Sequence, residues 1–426
     1  MCQNCGYESP KWLGKCPGCE NWATFVEFAS RTTKKGIAKK ASPPKYLKDI
    51  KDKKLIRLST SMSEMDRVLG GGLIAGQVVL LAGDPGIGKS TLLMQLASGV
   101  GSALYVLGEE SLSQVKTRVE RMGSKAEKIA FLEETNIDVV LATLEKEINK
   151  ADYKVVIVDS VQTMYSEDLT GVPGSVGQVK EVAFRLIAFA KQNDVPIILV
   201  GHVTKDGTVA GPSTLAHMVD TVLWLEGDRV SPLRVLRSIK NRFASIDEVG
   251  IFQMKNKGLV GSADVETMFL GEKRVGVAGS VISCVMEGTR PFLVEIQSLV
   301  VPTKLAIPRR VVQGLDSKRV ELLIAVLMRH CGLYLSERDV FVNVVGGIKI
   351  KDPGVDLAVA FAIASSYKDK VVMANTLVIG EVGLLGEIRE TAFEQKRIAR
   401  AKHQGFREVI NAGKFKQIAS AVRGLH

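Results

Sequence analysis

One octapeptide restricts this chain more than any other feature. Residues 83–90 read Gly83-Asp84-Pro85-Gly86-Ile87-Gly88-Lys89-Ser90, a complete G-x-x-x-x-G-K-[ST] pattern. The apolar run QVVLLAG (77–83) precedes it, and apolar residues at helical spacing (90–99) follow, opening at Thr91. Strand, glycine-rich turn and helix in that order aim successive backbone N–H groups, and the positive end of a helix dipole, at one point. Such a point suits phosphate. Gly83 to Thr91 are therefore expected to cradle a nucleoside triphosphate, with Lys89 on its β- and γ-phosphates and Ser90 on its Mg2+.

The neighbouring sequence agrees with a cradle of this kind. SALYVLGEE (102–110), YKVVIVDS (153–160), VPIILVGHV (195–203) and DTVLWLEGD (220–228) are short runs rich in Val, Ile and Leu; helical patterns at 112–122, 137–150 and 176–193 separate the earlier ones. Strands buried on both faces and joined by helices make a parallel α/β sheet. RVLRSIKNRF (234–243) and EVGIFQM (248–254) read as its antiparallel extension. Asp159 ends its run and is expected to hold the Mg2+ shell from the neighbouring strand tip. Glu109 and Glu110 end a run expected beside the phosphate-loop strand, so that one of them, Glu109 by preference, faces the γ-phosphate as a base. The rival reading is an acid that favours the dipole of 112–122. His202, in HVTKDG, stands either as a γ-phosphate sensor or as a satisfied strand-end histidine. Lys240 and Arg242, in KNRF, are either a solvated basic strand end or cations that reach a neighbouring copy's nucleotide.

The first 57 residues carry different chemistry. Cys2, Cys5, Cys16 and Cys19 form two C-x-x-C pairs whose sulfurs suit tetrahedral zinc. Two disulfides are disfavoured in a reducing cytoplasm, and four thiolates close the shell, so this zinc folds a module rather than activating water. Cys284 and Cys331, in apolar contexts, read as inert core residues. Between Arg31 and Arg57, 11 Lys and Arg stand against Asp49 and Asp52, which concentrates most of the chain's net charge of +11. A solvated linker and a polyanion-binding arm both fit that run. With 426 residues, 46% apolar and 24% charged, the chain is globular, with two or three domains. No window approaches a membrane span and no apolar signal core opens the chain, so a cytoplasmic protein with no membrane partner is expected.

From about residue 268 the pattern changes. GSVISCVMEGTRPFLVEIQSLVVP (279–302) alternates like half-buried strands, further strands are expected at 341–350 and 376–389, and helices at 316–330, 354–366 and 394–404. The expected division is a four-cysteine module (1–28), a basic linker (29–57), a nucleotide-binding α/β domain (58–267) and an α+β domain (268–426).

Taken in order, CQNCGYESPKWLGKCPGC, GDPGIGKSTLL, LGEES, VDSVQT, GSVGQVKE, HVTKDG, KNRF, IKDPGVDLAVA and GEVGLLGEIR resemble the bacterial RadA (Sms) family of DNA repair proteins over essentially the whole chain. The resemblance implies a RecA-like P-loop NTPase core, an N-terminal zinc ribbon and a C-terminal domain similar to the Lon protease domain. It also implies a DNA-dependent ATPase that uses ATP, Mg2+ and Zn2+ and forms a homo-oligomeric ring, with a hexamer expected. Such a ring would act on single-stranded and branched DNA, promoting branch migration alongside the RecA recombinase. Two other classes compete: an ATP-dependent Lon-like protease and a signalling ATPase of the KaiC type. A Lon-type site needs Ser and Lys. KIKDPGVDLAVA (349–360) holds no Ser, Ser365 and Ser366 fall later, and Arg389 occupies the position resembling the Lys, so the domain is expected to be non-proteolytic. The chain departs from the family at Ala244, which replaces a Gly, and at Ser213, which replaces an Arg. If position 244 requires a positive φ, the alanine strains it by roughly 1–2 kcal/mol.

Overall fold

The computed structural model describes residues 2, 7, 9, 11–18, 20–25, 46, 56–123, 126–202, 212–227, 232–261, 277–347 and 349–425. The chain divides into two compact units, Met1–Ser262 and Ala263–His426. In the first, β1 (Arg57–Leu58), α1 (Ser63–Leu69) and β2 (Leu73–Ile74) lead into β3 (Val78–Gly83). There follow α2 (Lys89–Val100), β4 (Ala103–Leu107), α3 (Leu112–Met122), β5 (Ile129–Glu133), α4 (Ile137–Ala151), β6 (Val155–Asp159), α5 (Val176–Asn193), β7 (Ile197–His202) and α6 (Pro212–Ala216). The unit closes with β8 (Thr221–Glu226), β9 (Leu233–Asn241), β10 (Val249–Lys255) and β11 (Gly258–Gly261).

These strands form one sheet in the order β11-β10-β9-β8-β3-β7-β6-β4-β5, in which β8 through β5 run parallel and β9 to β11 antiparallel. Every residue of β3 is buried because both faces are covered. Val79 and Leu81 join Leu92, Leu93, Tyr105 and Ile157 under α1 to α3, whereas Val78 and Leu80 join Val156, Val179, Leu186 and Leu199 under α4 to α6. Period-two alternation therefore feeds two cores, which is why the strand sequences read as continuous apolar runs.

The order corrects two expectations. β4, which precedes Glu109 and Glu110, is not beside β3; β7 and β6 stand between them. Nor is β6, which ends at Asp159, the neighbour of β3, because β7 separates them. In the open α/β plan a later strand returns to pair with the first, and the loops at the carboxyl ends then converge across the crevice so formed.

The second unit contains β12 (Ser280–Glu287), β13 (Arg290–Pro302), β14 (Arg310–Gln313), α7 (Ser317–Cys331), β15 (Arg338–Val344), α8 (Asp356–Lys368) and β16 (Thr376–Val378). It ends with β17 (Glu381–Val382), β18 (Ile388–Arg389), α9 (Glu394–His403), β19 (Glu408–Ile410) and α10 (Ile418–Arg423). Six strands make a mixed sheet, β14-β15-β13-β12-β16-β19, and β17 and β18 form a separate hairpin. Helix α8 is buried along nearly its whole length and lies against β12 and β13. Among the described residues no helix is long and apolar enough to cross a membrane.

Candidate active site

The turn after β3 is built by backbone demands. Gly83 has φ +151°, and a Cβ there would stand 2.3 Å from the Leu225 carbonyl oxygen on β8, so neither the conformation nor the space admits a side chain. Gly88 has φ +114° and faces Met254 Cε at 2.6 Å in the same sense. Buried Arg234 on β9 donates from Nε to the Ile87 carbonyl at 2.9 Å, which ties the turn to the antiparallel half of the sheet. Asp84, Pro85 and Gly86 are exposed at the tip, and Ser90 and Thr91 are half-buried in the first turn of α2.

Lys89 is 3% exposed, and its ammonium donates to the carbonyls of Gly83 (2.9 Å) and Asp84 (3.1 Å). Burial lowers its pKa from the ordinary value, against the opposing pull of Asp159, Glu109 and Asp84. The three carboxylates thus sense the same cation although they come from the ends of different elements.

Asp159 is fixed from a direction that the sequence does not announce. The Tyr105 hydroxyl, fully buried on β4, donates to Asp159 Oδ2 at 2.7 Å. Burial first, and Asp159 second, push that phenol well above its ordinary range, so it remains a donor. The only early signal for Tyr105 is its place within an apolar run. Glu109 Oε1 accepts from the Ser160 hydroxyl and lies 3.4 Å from His202 Nε2. Glu110, by contrast, pairs with Arg118 on α3 and turns away from the cradle.

His202 pairs with Gly83 in the β3–β7 register. On the other side of β7, β6 has already ended, and the Gln162 amide replaces it: Gln162 Nε2 donates to the His202 carbonyl (2.8 Å) and Oε1 accepts its N–H (2.7 Å). The imidazole is held neutral, its pKa lowered by burial and by the Lys89 cation despite Glu109 and Asp159. Its Nε2 is buried with no hydrogen-bond partner among the described residues. The remainder of HVTKDG, 203–207, lies outside the described residues.

Lys240 and Arg242 are not brought to this cradle. Lys240 pairs with Val222 at the start of β8 and donates to the carbonyls of Ala216 and Val219, both at 2.8 Å. Arg242 Nη1 binds Asp220 Oδ1 at 3.2 Å, and buried Asp220 also takes Lys191 Nζ at 2.7 Å. Both cations therefore stand at the amino ends of the parallel strands, opposite the cradle of their own chain. Ala244 is not among the residues with positive φ, so the strain conditional on that conformation does not arise. It packs instead against Gly70, where a Cβ would meet the Ala244 Cβ at 2.3 Å. Ser213 lies exposed in α6.

Of the four sequence-predicted zinc ligands, Cys5 and Cys19 fall outside the described residues. Cys2 and Cys16 are buried. Each donates its backbone N–H five residues ahead, to Tyr7 (2.8 Å) and Asn21 (2.9 Å), so the two knuckles repeat one geometry. The Gly18 N–H points at Cys16 Sγ (3.4 Å), the donation a thiolate ligand requires. This half of the donor set fits tetrahedral zinc. Ser90 and Asp159 offer the hard oxygens that suit Mg2+. In the second unit the Ser365 hydroxyl donates to the Lys370 carbonyl and accepts the Gly279 N–H at 2.9 Å, while Ser366 accepts the Val300 N–H at 2.9 Å. Arg389 is exposed and pairs with Glu387.

A parallel sheet that opens on a glycine-rich turn, with a buried lysine in the first turn of the following helix and carboxylates at the other strand ends, defines a P-loop ATPase core of the RecA-like order. Family models agree in segments: residues 44–208 match an AAA domain, 1–27 a rubredoxin metal-binding domain, and 306–414 subunit ChlI of Mg-chelatase. "DNA repair protein RadA" of Streptococcus pyogenes serotype M6 is 46% identical over 96% of this chain and 91% of its own length. The protein of the same name from Bacillus subtilis strain 168 is 45% identical over the same shares. The chain belongs to the RadA family. A KaiC-like protein of Pyrococcus horikoshii covers 49% of this chain and 99% of its own at 20% identity and a TM-score of 0.41, too low to carry any argument.

Proposed function

We propose that this chain is a DNA-dependent ATPase of recombinational repair. In this reading it works in the cytoplasm as a homo-oligomeric ring, a hexamer, that moves on single-stranded DNA and promotes branch migration alongside the RecA recombinase. The observation that carries the ATPase chemistry is the convergence of Lys89, Asp159, Glu109 and His202 on one glycine-rich turn. The repair context rests on the names of the relatives.

In this reading Lys89 exchanges the carbonyls of Gly83 and Asp84 for β- and γ-phosphate oxygens of ATP. Ser90 and Asp159 would hold Mg2+, which would supply neutralisation of phosphate charge. Glu109 orients the attacking water and accepts its proton, and the neutral His202, whose Nε2 lies 3.4 Å from Glu109 Oε1, turns that nitrogen to the γ-phosphate. Lys240 and Arg242 act across a subunit boundary, stabilising charge at the next copy's phosphates. The four cysteines hold zinc in a module of residues 1–28, residues 29–57 form the basic linker, 58–267 the motor, and 268–426 a non-proteolytic scaffold. The occupied Ser365 and Ser366 hydroxyls support that last assignment.

The decisive measurement is ATP turnover by the purified chain with and without oligo(dT), at two salt concentrations. Stimulation by DNA, with log K for binding falling as log salt rises, is expected. Turnover indifferent to DNA would move the protein to the signalling class, and ATP-dependent degradation of casein would make it a protease.

A further inference from the structure

Two of the chain's three tryptophans, Trp12 and Trp22, are 71% and 73% exposed in the four-cysteine module. The hairpin explains why Trp22 faces outward. Lys15 and Trp22 form an antiparallel bridge, framed by the Cys16 N–H on Asn21 and the Ala23 N–H on the Gly14 carbonyl. Alternation turns Cys16 inward and therefore Lys15 and Trp22 outward together. Gly14 lies between the two indoles: a Cβ there would meet Trp22 Cζ3 at 3.7 Å and Trp12 Cη2 at 3.8 Å. The ring edges thus flank a stretch of backbone with no side chain, and the three together make a shallow aromatic saddle.

Two indoles left in water forgo the largest burial gain that side chains offer, and paired exposed aromatics mark contact surfaces. Charge identifies the partner. Lys11 is exposed next to Trp12, Lys15 shares its face with Trp22 in an exposed pair with Glu20, and the run that follows in the sequence carries 11 Lys and Arg between residues 31 and 57. Flat π faces flanked by Lys11 and Lys15, on a module followed in the chain by a dense basic run, match a polyanion with exposed bases. We propose that Trp12 and Trp22 form a stacking platform for unpaired bases of single-stranded DNA. The inference rests on the single-stranded-DNA reading above and adds to it a contact surface outside the ATPase core.

The tryptophans report on themselves. In the full-length Trp224→Phe variant, Trp12 and Trp22 are the remaining indoles. Titration with fluorescein-labelled oligo(dT) is expected to quench their emission along the same saturation curve as the anisotropy of the label. Trp12→Ala with Trp22→Ala should weaken binding by on the order of tenfold or more, and the corresponding pair of phenylalanine substitutions should restore most of it. Saturating anisotropy with unchanged indole emission would overturn the platform while leaving DNA binding intact. Absence of any anisotropy change would sink the single-stranded-DNA reading and the platform together. Emission that responds to an added protein but not to oligo(dT) would reassign the saddle to protein docking.

Discussion

Glu109 and Glu110 are adjacent in the chain and meet opposite surroundings. Glu109 shares its carboxylate with Ser160 and His202, whereas Glu110 is engaged by Arg118 at a partly exposed bridge. Glu109→Gln is expected to lower kcat by about 10²–10⁴-fold with ATP binding retained, as loss of a base should. Glu110→Gln removes a surface pair worth about 1 kcal/mol or less and should leave turnover within about twofold. Equal losses in steady-state assays of the two variants would place the base elsewhere. Tyr105 acts one step back, through Asp159. Tyr105→Phe keeps the ring against its neighbours and removes only the hydroxyl, so the Mg2+ concentration needed for half-maximal turnover should rise severalfold, while nucleotide binding in EDTA stays unchanged. An unaltered Mg2+ requirement would make the hydroxyl a packing feature. The motif residues of this site were legible because their spacing is dictated by phosphate. Tyr105, Gln162 and Arg234 were not, because a hydroxyl, amide or guanidinium inside an apolar strand or turn shows no partner until the sheet order is known.

At the scale of elements, long periodic segments were readable and short edge segments were not. Helices α2 to α5 fall within a residue of their patterns, since each must bury one face against a strand. β5 (IAFLE) escaped notice: it is an edge strand whose residues after Ile129 are at most half-buried, so its pattern lacks the contrast of a central strand. β14, β19 and α10, of four, three and six residues, are short as well. Arg57, the last cation of the basic run, belongs to the fold, because its guanidinium binds the carbonyls of Leu69 (3.0 Å) and Phe243 (2.8 Å) and braces the turn after Asn241. Among the described residues of the cysteine module only Cys2, Cys16 and Phe25 are buried, a small core for which bound metal would supply folding energy. Cys16→Ser should therefore release zinc and unfold residues 1–28 while the main thermal transition holds its midpoint. A lowered midpoint for the main transition would show that the module contributes to the stability of the core.

For the molecule as a whole, the position of Lys240 and Arg242 matters most. They stand at the strand ends remote from their own cradle, and there Lys240 caps the carbonyls of Ala216 and Val219. A role in turnover consequently requires a second copy. Lys89→Ala and Arg242→Ala are each expected to be inactive alone. Mixed in equal amounts they should recover up to about a quarter of wild-type turnover, the fraction of boundaries that unite an intact cradle with an intact arginine in a randomly mixed ring. No recovery from a mixture shown to co-assemble would return both residues to a structural duty within one chain.

The sequence by itself determined the phosphate cradle, the alternation of strand and helix, the paired cysteines and the family, because each is a constraint between residues near in the chain or fixed in order along it. Only the tertiary structure decided that β7 and β6 separate the phosphate strand from β4, that Glu109 rather than Glu110 faces Lys89, and that Ala244 is free of the strain its replacement of glycine suggested. Those outcomes depend on which strands become neighbours, and neighbour choice follows from burying two apolar faces at once, a condition on the whole sheet that no local stretch of sequence expresses.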